Sequence, residues 1–264
     1  MKKNAAARPA GGRLLGLAAV AVASALASPA GAGEGAWESN QCVACHEVED
    51  LSISLGHSMG EWRASAHARG GVGCEKCHGG DASIKDVKAA HNGVLASSDP
   101  KSMVNIHNLS ATCGSCHEEQ YKAYRGTVHA KEVKHDADAA TCLTCHGSMA
   151  TSYPSPRELN TRCSVCHDKP VEARSALSWL SSAKTHLVKA RRAMDQAKDV
   201  VPDWHNGAVE RFHQMEKDYD AIALQWHKFD MEASIKQSRD LLNLGKLLEE
   251  EANLKVKMAK EKKR

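Results

Sequence analysis

The sequence predicts a mainly α chain in two unlike parts: residues 33–170, packed around bound groups with little regular structure, and a long C-terminal α-helical hairpin over 171–264. Three observations predict it. The pentapeptide CxxCH occurs five times between Cys42 and His167 and uses all ten cysteines. Only eleven of the 264 residues are aromatic, two of them phenylalanine, too few for an ordinary aromatic core in a domain this size. From Val171 onward, apolar residues recur at heptad spacing.

The N-terminal element reads as a leader. Lys2, Lys3, Arg8 and Arg13 make a basic start, Leu14 to Ala27 is apolar, and Ala30-Gly31-Ala32 offers an A-x-A cleavage site. The sequence therefore predicts a signal peptide over 1–32, cut after Ala32. An uncleaved anchor fits less well, because a membrane span needs ~20 apolar residues. The leader holds four of the 35 basic residues and no acid, which leaves 31 basic residues against 32 acidic ones and an almost neutral mature chain. That balance gives no warrant for nucleic acid binding.

The five pentapeptides are CVACH (Cys42, Cys45, His46), CEKCH (Cys74, Cys77, His78), CGSCH (Cys113, Cys116, His117), CLTCH (Cys142, Cys145, His146) and CSVCH (Cys163, Cys166, His167). Two thiols at this spacing form thioethers to the two vinyl groups of one haem, and the adjacent histidine becomes an axial ligand of its iron. A zinc ribbon needs paired CxxC knuckles without the trailing histidine, and a disulfide framework would not repeat one pentapeptide. The expectation is five covalently bound haem c groups. Within 126 residues they must supply much of the core, so the haem-free chain is not expected to fold there. Haem c is attached outside the cytoplasmic membrane, so the motif and the leader support each other.

The haem region is internally duplicated. Trp62-Arg63-Ala64-Ser65-Ala66-His67-Ala68 precedes the second motif and Tyr124-Arg125-Gly126-Thr127-Val128-His129-Ala130 precedes the fourth; both of those motifs continue with glycine, Gly79 and Gly147. The run CVACH, EWRASAHARGGVGCEKCHGGD, CGSCHEEQYKAYRGTVHA and CLTCHG resembles the multihaem superfamily of hydroxylamine oxidoreductase, pentahaem nitrite reductase and their small electron-carrying relatives. The resemblance implies that His67 and His129 are distal axial ligands and that neighbouring haems stack in close pairs. All five motifs end in histidine, whereas nitrite reductases of that superfamily bind their catalytic haem through lysine.

Ten histidines lie outside the motifs, enough for every iron to be bis-histidine. His67, His91, His107 and His129 are the leading candidates by their place among the motifs, and His205 is the candidate from the helical segment. His57 and His135 follow, and His213 and His227 rank below His205. Met149 stands where related cytochromes often carry a histidine soon after CHG; it is read as packing against a porphyrin rather than ligating iron.

The helical part is patterned in two heptad runs. The first passes through Ala173, Ala176, Leu180, Ala183, Leu187, Ala190, Met194, Ala197 and Val201; Pro202 ends it. The second passes through His205, Ala208, Phe212, Met215, Tyr219, Ile222, Trp226, Phe229 and Ala233, then continues with a slip through Leu241, Leu244 and Leu248. That predicts a second helix longer than ~50 residues, roughly 75 Å if unbroken. A small haem domain leaves much of it uncovered, so a homodimer through the helices is expected.

Electron transfer is the function these features favour: a periplasmic relay between a quinol-oxidising membrane cytochrome and a terminal reductase or outer-membrane conduit. No acid, base or nucleophile is required. The alternatives are a small reductase of nitrogen or sulfur oxyanions with one open haem, and a subunit of a conducting filament.

Overall fold

In the computed structural model the described residues are 37, 39–47, 57–136, 138–147, 149, 155–168 and 170–262. The predicted leader lies outside them. Among the described residues there is no strand, and no helix is long and apolar enough to cross a membrane. The mainly α expectation holds.

The motif region is a string of short helices: α1 (Gln41–His46), α2 (Met59–Ala64), α3 (Ala66–Arg69), α4 (Glu75–His78), α5 (Val87–Ala90), α6 (Ile106–Gly114), α7 (Glu118–Tyr124), α8 (Val128–Glu132), α9 (Cys142–His146) and α10 (Pro156–Cys163). Side-chain caps set most of their starts. Ser58 and Glu61 form a capping box on α2, and Ser155 and Glu158 form one on α10 with Pro156 just inside.

The duplicated heptapeptide has one structural meaning in both copies. Ser65 accepts from the Ala68 N–H and Thr127 from the Ala130 N–H, each capping a short helix that carries the histidine at its second position. The buried aromatic ahead of it reaches forward. Trp62 Nε1 donates to the Val72 carbonyl at 3.2 Å, and the Tyr124 hydroxyl donates to the Ala140 carbonyl at 2.7 Å. Each acceptor lies two residues before the next motif. The aromatic-R-x-S/T-x-H-A segment is thus a clamp that fixes a histidine relative to the following CxxCH.

The helical part is a three-helix bundle rather than a hairpin. α11 (Val171–Ala197) runs up, α12 (Pro202–His227) runs down, and α13 (Met231–Lys262) runs up again. Trp179 meets Arg239 and His186 meets Gly245, so α11 and α13 are parallel. α12 is antiparallel to both, with Trp204 and Arg211 near its start bonded to Glu251 near the end of α13. Leu180, Ala183, Leu187, Ala190 and Met194 pack against Ala208, Phe212, Met215 and Ile222 and against Leu241, Leu242 and Leu248. Gly245 allows the close approach of α11: a Cβ there would stand 3.2 Å from His186 Cβ.

The expected 50-residue helix breaks at Lys228–Asp230. Phe229 adopts φ 59°, the sole left-handed non-glycine among the described residues, and Asp230 accepts from the Ala233 N–H to start α13. The slip in the apolar stripe between Ala233 and Leu241 is the trace of this break. The refolded third helix covers much of the apolar surface that the hairpin would have left open.

Candidate functional site

Each motif is wound into a helical turn, so its first cysteine and its histidine, four residues apart, share a face. The N–H groups of His78, His117 and His167 donate to the carbonyls of Cys74, Cys113 and Cys163 at 2.9, 2.9 and 2.8 Å. Gly79 and Gly147 then turn the chain away at φ 80° and 72°. At Gly79 a Cβ would also stand 3.0 Å from the Gly93 carbonyl oxygen, so both conformation and space require glycine.

Opposite each motif histidine stands a second histidine. Numbering the sites by motif, the ring-centre separations are 6.0 Å for His46–His91 at site 1, 6.0 Å for His57–His78 at site 2, and 6.2 Å for His67–His117 at site 3. Site 4 pairs His146 with His227 at 6.2 Å, and site 5 pairs His167 with His129 at 5.8 Å. Two imidazoles facing each other across one metal ion, at nitrogen–metal distances of about 2 Å, have ring centres about 6 Å apart. The donor set therefore fits an iron between each pair, with the motif thiols beside it.

Burial and the facing ring hold His67, His78, His129 and His146 below the usual histidine range, and burial lowers His227 likewise. The neutral imidazole so favoured is the form that binds metal. Two partners are braced from behind. Nδ1–H of His91 donates to the Val87 carbonyl and that of His227 to the Ala223 carbonyl, each at 2.7 Å and four residues back, which leaves Nε2 facing forward.

The sites follow one another in chain order. Burial, with the neighbouring Cys42, pushes the Cys74 thiol up to about 11. Burial and then Cys116 raise Cys77. Cys113 and Cys142 hydrogen-bond to each other, which raises the first and lowers the second. Burial, with Cys163 beside it, takes Cys145 to about 11. The attachment thiols thus link site 1 to 2, 2 to 3, 3 to 4 and 4 to 5. A cavity of about 530 Å³ spans sites 1 and 2, and its walls include both histidine pairs and Met149. Met149 also packs on the small cluster of Val43, Trp62 and Ala68, and both motif histidines there already face a histidine.

Of the five distal residues expected from sequence, His67, His91 and His129 face a motif histidine. His107 and His205 face none in the described structure. His107 is exposed and its Nδ1–H donates to the Val133 carbonyl at 2.6 Å. His205 lies in the first turn of α12, about 33 Å along the helix from His227 at the other end. His57 and His227 stand in their places. The duplication explains part of this: His67 and His129 each face the motif after next, His117 and His167. Site 2 takes His57 from its own upstream segment, whereas site 4 takes its second histidine from the bundle.

The family described as "Cytochrome c554 and c-prime" matches residues 22–79. The chain is similar to the C-type polyheme cytochrome OmcC of Geobacter sulfurreducens (strain ATCC 51573 / DSM 12127 / PCA), 34% identical over 196 residues, covering 62% of this chain and 25% of that protein. It is similar to the C-type polyheme cytochrome OmcB of Geobacter sulfurreducens (strain DL-1 / KN400), 25% identical over 184 residues, covering 65% of this chain and 24% of that one. The chain spans about a quarter of the length of these curated relatives. No solved structure matches it. The family match and the relatives support haem c binding and kinship with multihaem c-type cytochromes.

Proposed function

We propose that the chain carries five haem c groups, one at each CxxCH, with every iron held between two histidines, and that it relays electrons along the string of sites. The observation that carries this reading is the set of five histidine pairs, 5.8 to 6.2 Å between ring centres, each joining one motif histidine to one other. Bound haem c supplies one-electron exchange at its iron. The protein's residues supply the rest: neutral imidazoles on both faces, cysteine sulfurs that tether each haem beside the next, and apolar walls that exclude water. No motif histidine lacks a partner for a substrate to replace, which favours a relay over a reductase of nitrogen or sulfur oxyanions.

The chain divides into a pentahaem domain over 33–170 and a helical domain over 171–264, and it is a small electron-carrying member of the hydroxylamine oxidoreductase superfamily. Haem c attachment outside the cytoplasmic membrane supports export and a periplasmic place, with a quinol-oxidising membrane cytochrome as donor and a reductase or outer-membrane conduit as acceptor. A second copy pairing through the helices is supported by the outer face of α13. There Leu247, Leu254 and Met258 are 62, 55 and 56% exposed, alongside an acidic run at Glu249–Glu251 and a basic stretch from Lys255 to Lys262.

Near-infrared magnetic circular dichroism of the oxidised, haem-loaded protein, with its iron content, tests the central reading. Five irons per chain, all low-spin and bis-histidine, are expected. A high-spin iron or a His/Met band would contradict it.

A further inference from the structure

The turn between α12 and α13 touches two sites at once. His227, its last helical residue, faces His146 at site 4, and two residues on, the Phe229 ring stands against His129 of site 5 with ring centres 4.5 Å apart and planes at 66°. His129 therefore has both Phe229 and His167 beside its ring. We propose that Phe229 is a positioning residue for site 5: its ring holds the His129 plane across that of His167 and keeps water from that axial ligand. The proposal rests on the reading of His129 and His167 as the two ligands of one iron.

Three further observations carry it. Phe229 is one of only two phenylalanines in the chain, yet it occupies the left-handed position after a helix, where glycine or asparagine is the ordinary choice. A bulky side chain is strained there, by an amount that glycine would relieve, so the local backbone does not account for the residue. The turn around it is otherwise well built. The Phe229 N–H donates to the Trp226 carbonyl at 2.8 Å, Gln225 Nε2 donates to Asp230 at 2.7 Å, and Asp230 caps α13. Finally, the imidazole planes at site 5 lie 80° apart, the largest angle among the five pairs, whereas those at site 4 are nearly coplanar at 6°. The relative orientation of the two ligand planes sets the g-anisotropy of a low-spin ferric haem, and burial of the ligand raises its potential by disfavouring the more charged oxidised form.

Phe229→Gly in the haem-loaded protein tests this, read by low-temperature electron paramagnetic resonance and a redox titration. The expected result is an unchanged or higher melting temperature, a shift in the largest g-value of one signal of the five, and a lower midpoint for one site. Phe229→Tyr should keep the wild-type spectrum. Phe229→Leu, which keeps apolar bulk without the ring, should give the same single-site shift and serves if the glycine variant folds poorly. Unchanged spectra and midpoints in both the Gly and Leu variants would overturn the proposal. His129→Ala separates the two failures: if all five irons stay bis-histidine in it, the ligand reading itself falls, whereas loss of one low-spin iron in it with silent Phe229 variants refutes the positioning role alone.

Discussion

The motif string and the three-helix bundle make their cores by different means. In the bundle, Leu180, Leu187, Phe212, Met215, Ile222 and Leu248 bury one another along heptad stripes, and long uninterrupted helices satisfy their own backbones. In the string, the buried apolar residues away from the bundle are few, with Val43, Trp62 and Ala68 forming the cluster near sites 1 and 2. What converges there instead is ten thiols and ten imidazoles. The bundle carries the means of its own folding, whereas the string is a set of ligands awaiting the groups that will be its core. His227 and Phe229 join the two, so the self-sufficient region completes a site of the dependent one.

Withholding haem gives the largest expected effect on this contrast. In protein made without haem attachment, amides of 171–262 should keep hydrogen-exchange protection while those of 41–168 exchange freely. Equal protection in both regions would show that the string folds without its haems. Next come core truncations in the bundle. Phe212→Ala should cost about 3–5 kcal/mol and Leu187→Ala about 2–5 kcal/mol by denaturant titration, with the spectra of sites 1, 2 and 3 unchanged.

A smaller effect sharpens the duplication. Removing the Tyr124 hydroxyl in Tyr124→Phe should cost about 1 kcal/mol or more, because the Ala140 carbonyl loses its donor, and the change should be felt at site 4 rather than site 2. The smallest concerns pH. Trp204 and then Arg211 hold the Glu251 carboxyl below its usual range. A carboxylate depressed on folding contributes stability at pH above its unfolded value near 4.5, lost as pH falls through the folded one. Glu251 is half-exposed, so Glu251→Gln should flatten the acid limb of a stability–pH curve by only a few tenths of a kcal/mol.

The CxxCH repeats, the aromatic-R-x-S/T-x-H-A duplication and the heptad stripes were all legible because each is a local pattern with a local cause. Most stripe residues are buried: Ala176, Leu180, Ala183, Leu187, Ala190, Met194 and Ala197 in α11, and Ala208, Phe212, Met215 and Ile222 in α12. Leu244, placed on the same stripe, is 49% exposed because the chain changes phase at the break. That break was hidden because it uses neither glycine nor proline; Phe229 takes the left-handed position and only Asp230 hints at a new helix start. The pairing of histidines was legible where the duplication carries it, at His67 and His129. It was not at site 4, where the facing residue lies 81 positions from His146 in sequence. His205 looked better placed than His227 on the stripe, but what matters is which end of α12 meets the string, and that follows from the bundle's up-down-up course.

Whether the bundle supplies an axial ligand to the string is decided by the near-infrared magnetic circular dichroism of His227→Ala and His205→Ala, each fully loaded with haem. His227→Ala should convert one of five low-spin bis-histidine irons to high spin, whereas His205→Ala should leave all five unchanged. Five low-spin bis-histidine irons in His227→Ala, or the loss of one in His205→Ala, would contradict it.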